Sequence, residues 1–425
     1  MLTARIVCPV TRFVKKRSRA VDGNDMRIIR AALLAAFLAT WIVSVLPADE
    51  AVLFTYSHRE GEQYRIVGVN RQRIFVNGRE EGEGEVLTRV QIKLLPDREV
   101  YARYQVSEET AAGRDLFASD REYDVTFRQS PQGIQTVPAD SFVPQVRNVP
   151  TFPEHEVSPG DTWRSPGIEV YDFREGFEIQ DPVRIPIDVD YEYLGPAEFE
   201  GRRYDVIGMR YNLFHRPGPH APEADEIRLM TARFSQRLYW DTFAGRPAYY
   251  EETYNLFIQF TDGTRVEYRG TADGRVVDAP ELDRDAVRES IARSIIDENL
   301  EDATVRSDED GVTIALEDIR FEPDSAELME SELVKLDWLA AILREHPDRD
   351  VLITGHTALA GTPEGRQHLS EERAAAVGEF LIDAGVRTRD QLMYRGRGAE
   401  EPVAPNDTVE GRRRNRRVEI TILEN

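Results

Sequence analysis

Apolar and polar residues alternate with a period of two through much of the first 280 positions, the pattern of strands with one buried face. Segments 64–69, 73–76, 86–94 and 100–106 carry it, with Asn77-Gly78 and Asp97 placed where hairpin turns belong. In 185–193, Ile187, Val189, Tyr191 and Tyr193 share one face, and 237–242, 248–260 and 265–269 read as a meander. Its turns are 243–247 and 261–264. Proline-rich stretches at 138–153 and 217–222 break the alternation and mark crossovers or subdomain edges. The pattern predicts an all-β sandwich or half-barrel over 49–280, with room for two lobes. A membrane barrel would need a lipid-facing apolar band on every strand, and segments such as 122–129 and 202–210 are too charged for that.

The period then changes. Val287, Ile291, Ile295 and Ile296 recur at helical spacing, which predicts a connecting helix within 281–304 that ends in the acidic patch 297–302. Beyond it come strands at 312–316 and 319–321, then a helix at 326–344 with Leu333, Leu336, Leu339, Ala340 and Leu343 inward. A short β-branched strand at 351–353, a helix from Gln367 onward and strands at 391–394 and 418–423 complete the order. The expectation for 305–425 is an α+β sandwich of βαβαββ type, with helices on one face of a mixed sheet.

At the other end, the 16-residue apolar run 31–46 follows Arg27 and Arg30 and precedes Pro47-Ala48-Asp49, as in a secretory signal spanning 1–48. Cleavage after Ala48 and retention as an anchor both stay open, and Met26 is an alternative start. Either way the chain is expected to be exported to the periplasm. Lys plus Arg number 54 against 77 Asp plus Glu, a net charge of −23, which argues against a nucleic-acid partner. The single cysteine, Cys8, lies in the basic lead, so no disulfide framework exists, and its Ile6-Val7 and Pro9 flanks do not suit lipid attachment.

The densest chemistry follows the strand 351–353. Gly355-His356-Thr357 opens a loop, and Leu369-Ser370-x-x-Arg373-Ala374 enters the next helix. With Ser370 in the first turn and Glu371 and Glu372 beside it, strand, tight loop and helix start form a cradle for a small charged ligand. Arg373, one turn in, offers a planar fork that matches a carboxylate. The plainer alternative is an exposed helix arginine paired with Glu371 or Glu372.

Together with Asn406 and Gly411-Arg412-x-x-Asn415-Arg416-Arg417-Val418-Glu419, these motifs resemble the OmpA/Pal/MotB-type peptidoglycan-binding domain over 305–425. The resemblance implies a site that grips the peptidoglycan stem peptide by its diamino-acid end. Arg373 would hold a carboxylate, with Thr357, Leu369, Asn415 and Arg416 around the ligand and Glu322 where the family commonly shows Asp. One departure matters. The family usually places Asp directly after Gly-His-Thr, and here that residue is Ala358, whose methyl accepts no hydrogen bond. Glu322 and Glu364 are the candidates to replace its charge. Weaker binding, a different diamino acid in the wall, or a domain kept as a scaffold all remain open. Arg412, Arg413, Arg414, Arg416 and Arg417 are expected to frame the loop while pairing with carboxylates at the core edge.

Other chemistry is sparse. His215 and His220 share a loop with Glu223 and Asp225, at a spacing that fits no zinc motif. His356 is expected to fix its loop, and Trp163 and Trp240 to lie in the core. No nucleophile elbow, phosphate loop or paired-carboxylate signature occurs, so neither catalysis nor a cofactor is expected. A stator-type ion-channel subunit would need an ionisable residue in the membrane segment, and 31–46 has no charged residue. The expected function is a non-catalytic envelope protein anchoring a β-rich module to peptidoglycan. That module could also meet other envelope proteins. The alternative is a divergent domain that no longer binds wall and serves as a structural or protein-interaction scaffold.

Overall fold

The computed structural model describes residues 51–109, 117–174, 179–279, 281–308, 310–317, 319 and 328–424. The signal-like run, Cys8 and Met26 lie outside the described residues.

Among the described residues, twelve strands make up the first region: β1 (Gln63–Val76), β2 (Arg79–Leu94), β3 (Glu99–Glu109), β4 (Phe117–Gln129), β5 (Gln135–Thr136) and β6 (Val146–Arg147), then β7 (Thr162–Tyr171), β8 (Val183–Phe199), β9 (Arg202–His215), β10 (Ile227–Asp241), β11 (Arg246–Phe260) and β12 (Arg265–Asp278). They pair antiparallel in the order β5–β4–β3–β2–β1–β12–β11–β10–β9–β8–β7–β6. Asn77 (φ 52°) and Gly78 (φ 80°) form the two-residue turn between β1 and β2, in the left-handed region such hairpins need. Segments 64–69 and 73–76 prove to be one strand. The intervening Asn70 and Gln72 are buried rather than in a turn, and both side chains meet the Tyr254 hydroxyl, at 2.7 and 3.0 Å.

Inward residues of nearly every strand merge into one core. The proline-rich stretch is more than a crossover, because it supplies Val143, Val146, Val149 and Phe152 to that core. Phe152 meets Phe54 at 5.5 Å and Trp240 at 4.8 Å between ring centroids, and Tyr56 stands edge-on to Trp240 at 4.9 Å. Each fully buried ring contributes roughly 2–3 kcal/mol of burial, which holds these loops against the sheet.

The second region runs α1 (Arg284–Asp297), β13 (Ala303–Asp308), β14 (Gly311–Glu317), α2 (Leu333–Arg344), β15 (Val351–Gly355), α3 (Pro363–Asp383), β16 (Leu392–Gly396), α4 (Val409–Asn415) and β17 (Arg417–Leu423). Its strands order as β13–β14–β17–β15–β16, parallel only between β15 and β16. Val312, Ile314, Val351, Ile353, Leu392, Val418 and Ile420 face the helices. Helix α1 is more than a connector, since Val287 and Ile291 join this core with Leu336 and Leu339 of α2 and Val377 and Leu381 of α3. Two helix starts differ from the periodicity. Helix α2 begins at Leu333, leaving that side chain 37% exposed rather than inward. Helix α3 begins at Pro363, four positions before Gln367. Residues 320–327, with Glu322 and most of the expected second strand, lie outside the described residues.

The two regions share a sheet junction. Phe117 and Ala118 of β4 pair parallel with Met393 and Tyr394 of β16. Beside it, the buried Asp350 carboxylate lies 2.7 Å from Arg65 and 2.9 Å from Arg89, both buried on the first region's strands. Arg65 also donates to the Asp348 carbonyl at 2.8 Å, and Arg275 pairs with Asp390 at 2.6 Å. Asp350 directly precedes β15, so this cluster fixes the root of the strand that leads into the Gly-His-Thr loop.

Candidate functional site

Parallel strands β15 and β16 end together at Gly355 and Gly396, and α3 crosses both ends. A Cβ on Gly355 would overlap the Ser370 carbonyl oxygen, and one on Gly396 would overlap the Ser370 hydroxyl. The glycine of Gly-His-Thr therefore admits a helix, and the loop beyond inherits its position from that contact. The buried Ser370 hydroxyl donates to the Gln367 carbonyl at 2.7 Å and accepts from the Gly398 N–H at 2.9 Å. The Gly398 carbonyl accepts in turn from the Thr357 N–H at 2.7 Å.

A second relay holds the far side. The Leu359 N–H donates to Asn406 Oδ1 at 3.0 Å, which also accepts from Asn415 Nδ2 at 3.0 Å. Asn415 Nδ2 donates to the Ala404 carbonyl at 2.8 Å, and its Oδ1 accepts from the Val403 and Ala404 N–H groups at 2.8 and 3.0 Å. Two donors and two acceptors are thus all spent on the 403–406 loop, so Asn415 shapes the site from behind.

The early start of α3 changes the expected cradle. Pro363 fits the first helical position and Thr362 Oγ1 accepts from the Gly365 N–H at 3.1 Å, so the helix is capped there. Ser370 and Arg373 fall in the third and fourth turns, with Arg373 about 15 Å along the axis from the helix start. The first-turn acid is Glu364, not Glu371 or Glu372. The helix terminus contributes little field at Arg373, which has to act through its own guanidinium. Arg373 and Leu369 are half-buried on α3, and Arg416 is half-buried where α4 ends. Ala358 is buried, its methyl offering no charge. Thr357 is also buried, and among the described residues its Oγ1 has no hydrogen-bond partner. A buried hydroxyl without a partner costs about 1–3 kcal/mol.

His356 is 1% exposed, and among the described residues neither ring nitrogen finds a hydrogen-bond partner. Burial, reinforced by Arg417, pushes its pKa down to about 4 against a weaker pull from Glu419, 3.8 Å away. The ring stays neutral at neutral pH. It is the His356 N–H, donating to the Arg417 carbonyl at 2.9 Å, that fixes the loop, not the imidazole.

Within the basic run, Arg413 meets Asp302 at 2.6 Å and Glu410 at 2.9 Å, Arg414 meets Glu317 at 3.3 Å, and Arg417 meets Glu419 at 2.6 Å. Arg412 Nη1 donates to the Asn406 carbonyl at 2.8 Å. The run coils as α4, which strand and loop reasoning missed. Its signal was Thr408, whose Oγ1 accepts from the Gly411 N–H at 2.9 Å, followed by Glu410 in the first turn. Gln367 was missed as well, and its Nε2 ties α3 to the Gly396 carbonyl at 3.0 Å. Elsewhere, His215 Nε2 pairs with Glu223 at 2.9 Å, and among the described residues no three metal-ligating side chains gather.

Comparison with known proteins converges on this region. The model of the OmpA family matches residues 320–416. Outer membrane porin F of Pseudomonas aeruginosa is 34% identical over 105 residues, which cover 25% of this chain and 30% of that protein. The peptidoglycan-binding protein ArfA of Mycobacterium tuberculosis is 38% identical over 104 residues, 24% of this chain and 32% of that protein. This chain therefore spans about a third of the length of each of these two relatives. Among solved structures, the cell wall anchor of the T6SS from Pseudomonas aeruginosa is 32% identical and covers 32% of this chain and 98% of that one, with a TM-score of 0.29. Residues 320–416 thus form a domain that matches the OmpA family.

Proposed function

We propose that this protein is a non-catalytic component of the cell envelope, exported to the periplasm. Its OmpA-family domain binds the stem peptide of peptidoglycan and so anchors the β-rich region to the wall. The observation that carries the reading is the loop itself. Two hydrogen-bond relays, through Ser370–Gly398 and Asn406–Asn415, hold 357–359 in place and leave a buried Thr357 hydroxyl unmatched. Such a loop is built and kept open at one valence, as a recognition surface requires. Arg373 supplies the carboxylate fork, with Leu369 on the same helix and Arg416 at the end of α4. A relative 38% identical over 104 residues is itself named for binding peptidoglycan, which supports the ligand class.

A second reading has its own observation. Ala358 is buried where the family resemblance calls for an acid, so the ammonium of a diamino acid finds no counter-charge at that position. On this reading the domain is a scaffold, and its working surface is the β-rich region. Co-sedimentation of the full chain with purified peptidoglycan separates the two. The anchor pellets with the wall and is released by Arg373→Ala, whereas the scaffold stays in the supernatant.

A further inference from the structure

A groove of about 730 Å³ lies on the β-rich region where it meets the second region, lined by Arg71, Arg73, Arg269 and Arg389 together with Glu83 and Glu85. Arg389 comes from the loop before β16, and its guanidinium lies 4.3 Å above the Phe117 ring while pairing with Glu85. Both regions therefore build the groove, and nothing in the wall-binding reading uses it. Its volume falls within the range of about 300–1,000 Å³ usual for small-molecule sites.

The charges are matched. Arg71 holds Glu85 at 3.0 Å and Asp273 at 2.6 Å, Arg73 Nε holds Glu80 at 2.8 Å, and Arg269 holds Glu267 at 2.8 and 3.0 Å. An anion entering here finds no surplus cation to neutralise and would have to displace carboxylates already bound. A hydroxyl has a different relation to such a lattice. It donates to a carboxylate and accepts from a guanidinium at once, and the paired side chains hold both partners in fixed positions. Phe75 adds to that rigidity, lying beneath Arg73 at 5.4 Å and Arg269 at 4.5 Å.

The Arg and Glu side chains share one face of the sheet: Arg71 has Glu85 opposite it on β2 and Thr271 on β12, and Arg73 has Glu83 and Arg269. We infer that this groove binds an uncharged, hydroxyl-rich ligand, a short saccharide, with its hydroxyls bridging the Arg–Glu pairs of that face. The binding is independent of the OmpA-family loop.

Calorimetric titration of the full chain with tetra-N-acetylchitotetraose tests it, with inorganic phosphate and a stem-peptide fragment as separate arms. Saturable millimolar or tighter binding of the saccharide is expected, unchanged at high salt and uncompeted by phosphate. Thr271→Trp, at an exposed position lining the groove, should weaken it at least about tenfold with the stem-peptide arm unaltered. Glu83→Ala, also exposed, should weaken it in the same direction while leaving Glu85, Asp273, Glu80 and Glu267 on their arginines. Absence of saccharide binding to the unmutated chain, salt-sensitive phosphate binding in its place, or full affinity in both variants would overturn the assignment. Loss of the stem-peptide arm alone leaves it standing.

Discussion

The carbonyl oxygen of Ser370 occupies the space where Gly355 would carry a Cβ. That contact seats α3 on the end of β15, and through Gly398 and Thr357 it also sets the loop beyond. Gly355→Ala must push the helix away from the strand. The expected result is a loss of about 2–3 kcal/mol, in the range of overpacking a tight interior, read as a lower urea midpoint. A variant with unchanged midpoint would show that the helix yields freely.

Thr357 gives the opposite pattern. Replacing its hydroxyl by a methyl in Thr357→Val removes a buried polar atom that has no partner among the described residues. Stability should stay level or rise by up to about 1 kcal/mol, while wall binding falls. Weaker folding with intact binding would mean that the hydroxyl serves the fold.

Asn415 separates shaping from contact. In Asn415→Ala the 403–406 loop loses four hydrogen bonds and Leu359 loses the anchor behind Asn406. We expect about 1–3 kcal/mol of destabilisation and weakened wall binding together. Asn415→Asp keeps the two accepted bonds and should recover part of both. Binding lost without any change in unfolding would place Asn415 against the ligand instead.

At the junction, Asp350→Ala strands the buried guanidinium groups of Arg65 and Arg89. Breaking a buried pair from one side costs about 3–5 kcal/mol, and a loss of that size is expected in chemical denaturation. A loss below about 1 kcal/mol, the level of an exposed pair, would show the cluster open to water.

His356 predicts a pH dependence. Its folded pKa, near 4, lies below the ordinary value of 6.5, so the unfolded chain takes up the proton first as pH falls. The neutral ring's contribution is complete above pH 6.5 and is lost progressively down to about pH 4. It amounts to about 3 kcal/mol at full extent. In His356→Phe this dependence should vanish, so the unmutated chain should lose stability relative to the variant as pH falls through that window. A constant difference would mean that the imidazole meets water.

Much of this was legible in the residues. Alternation in 185–193 and 248–260 located strands because one face is buried and the other wet. The same rule split β1 at Asn70 and Gln72, since a polar pair reads as a turn when the distant Tyr254 that satisfies it is unseen. The motifs around Gly355 and Arg373 fall where β15, β16 and α3 meet, yet the helix start was misplaced because Pro363 and Thr362 were outweighed by apolar spacing. What could not be read was tertiary. Nothing local says that Gly355 meets Ser370, that Asn415 is spent on its own loop, or that Arg389 reaches across to Glu85.

The central claim, that Arg373 grips an anionic group of the wall, is tested most directly by co-sedimenting the full chain with purified peptidoglycan, with and without Arg373→Ala. The account predicts that the unmutated protein pellets and that the variant's affinity falls at least about tenfold, with an unfolding midpoint close to the parent's. Equal pelleting of both proteins, or a parent that never leaves the supernatant, would contradict it.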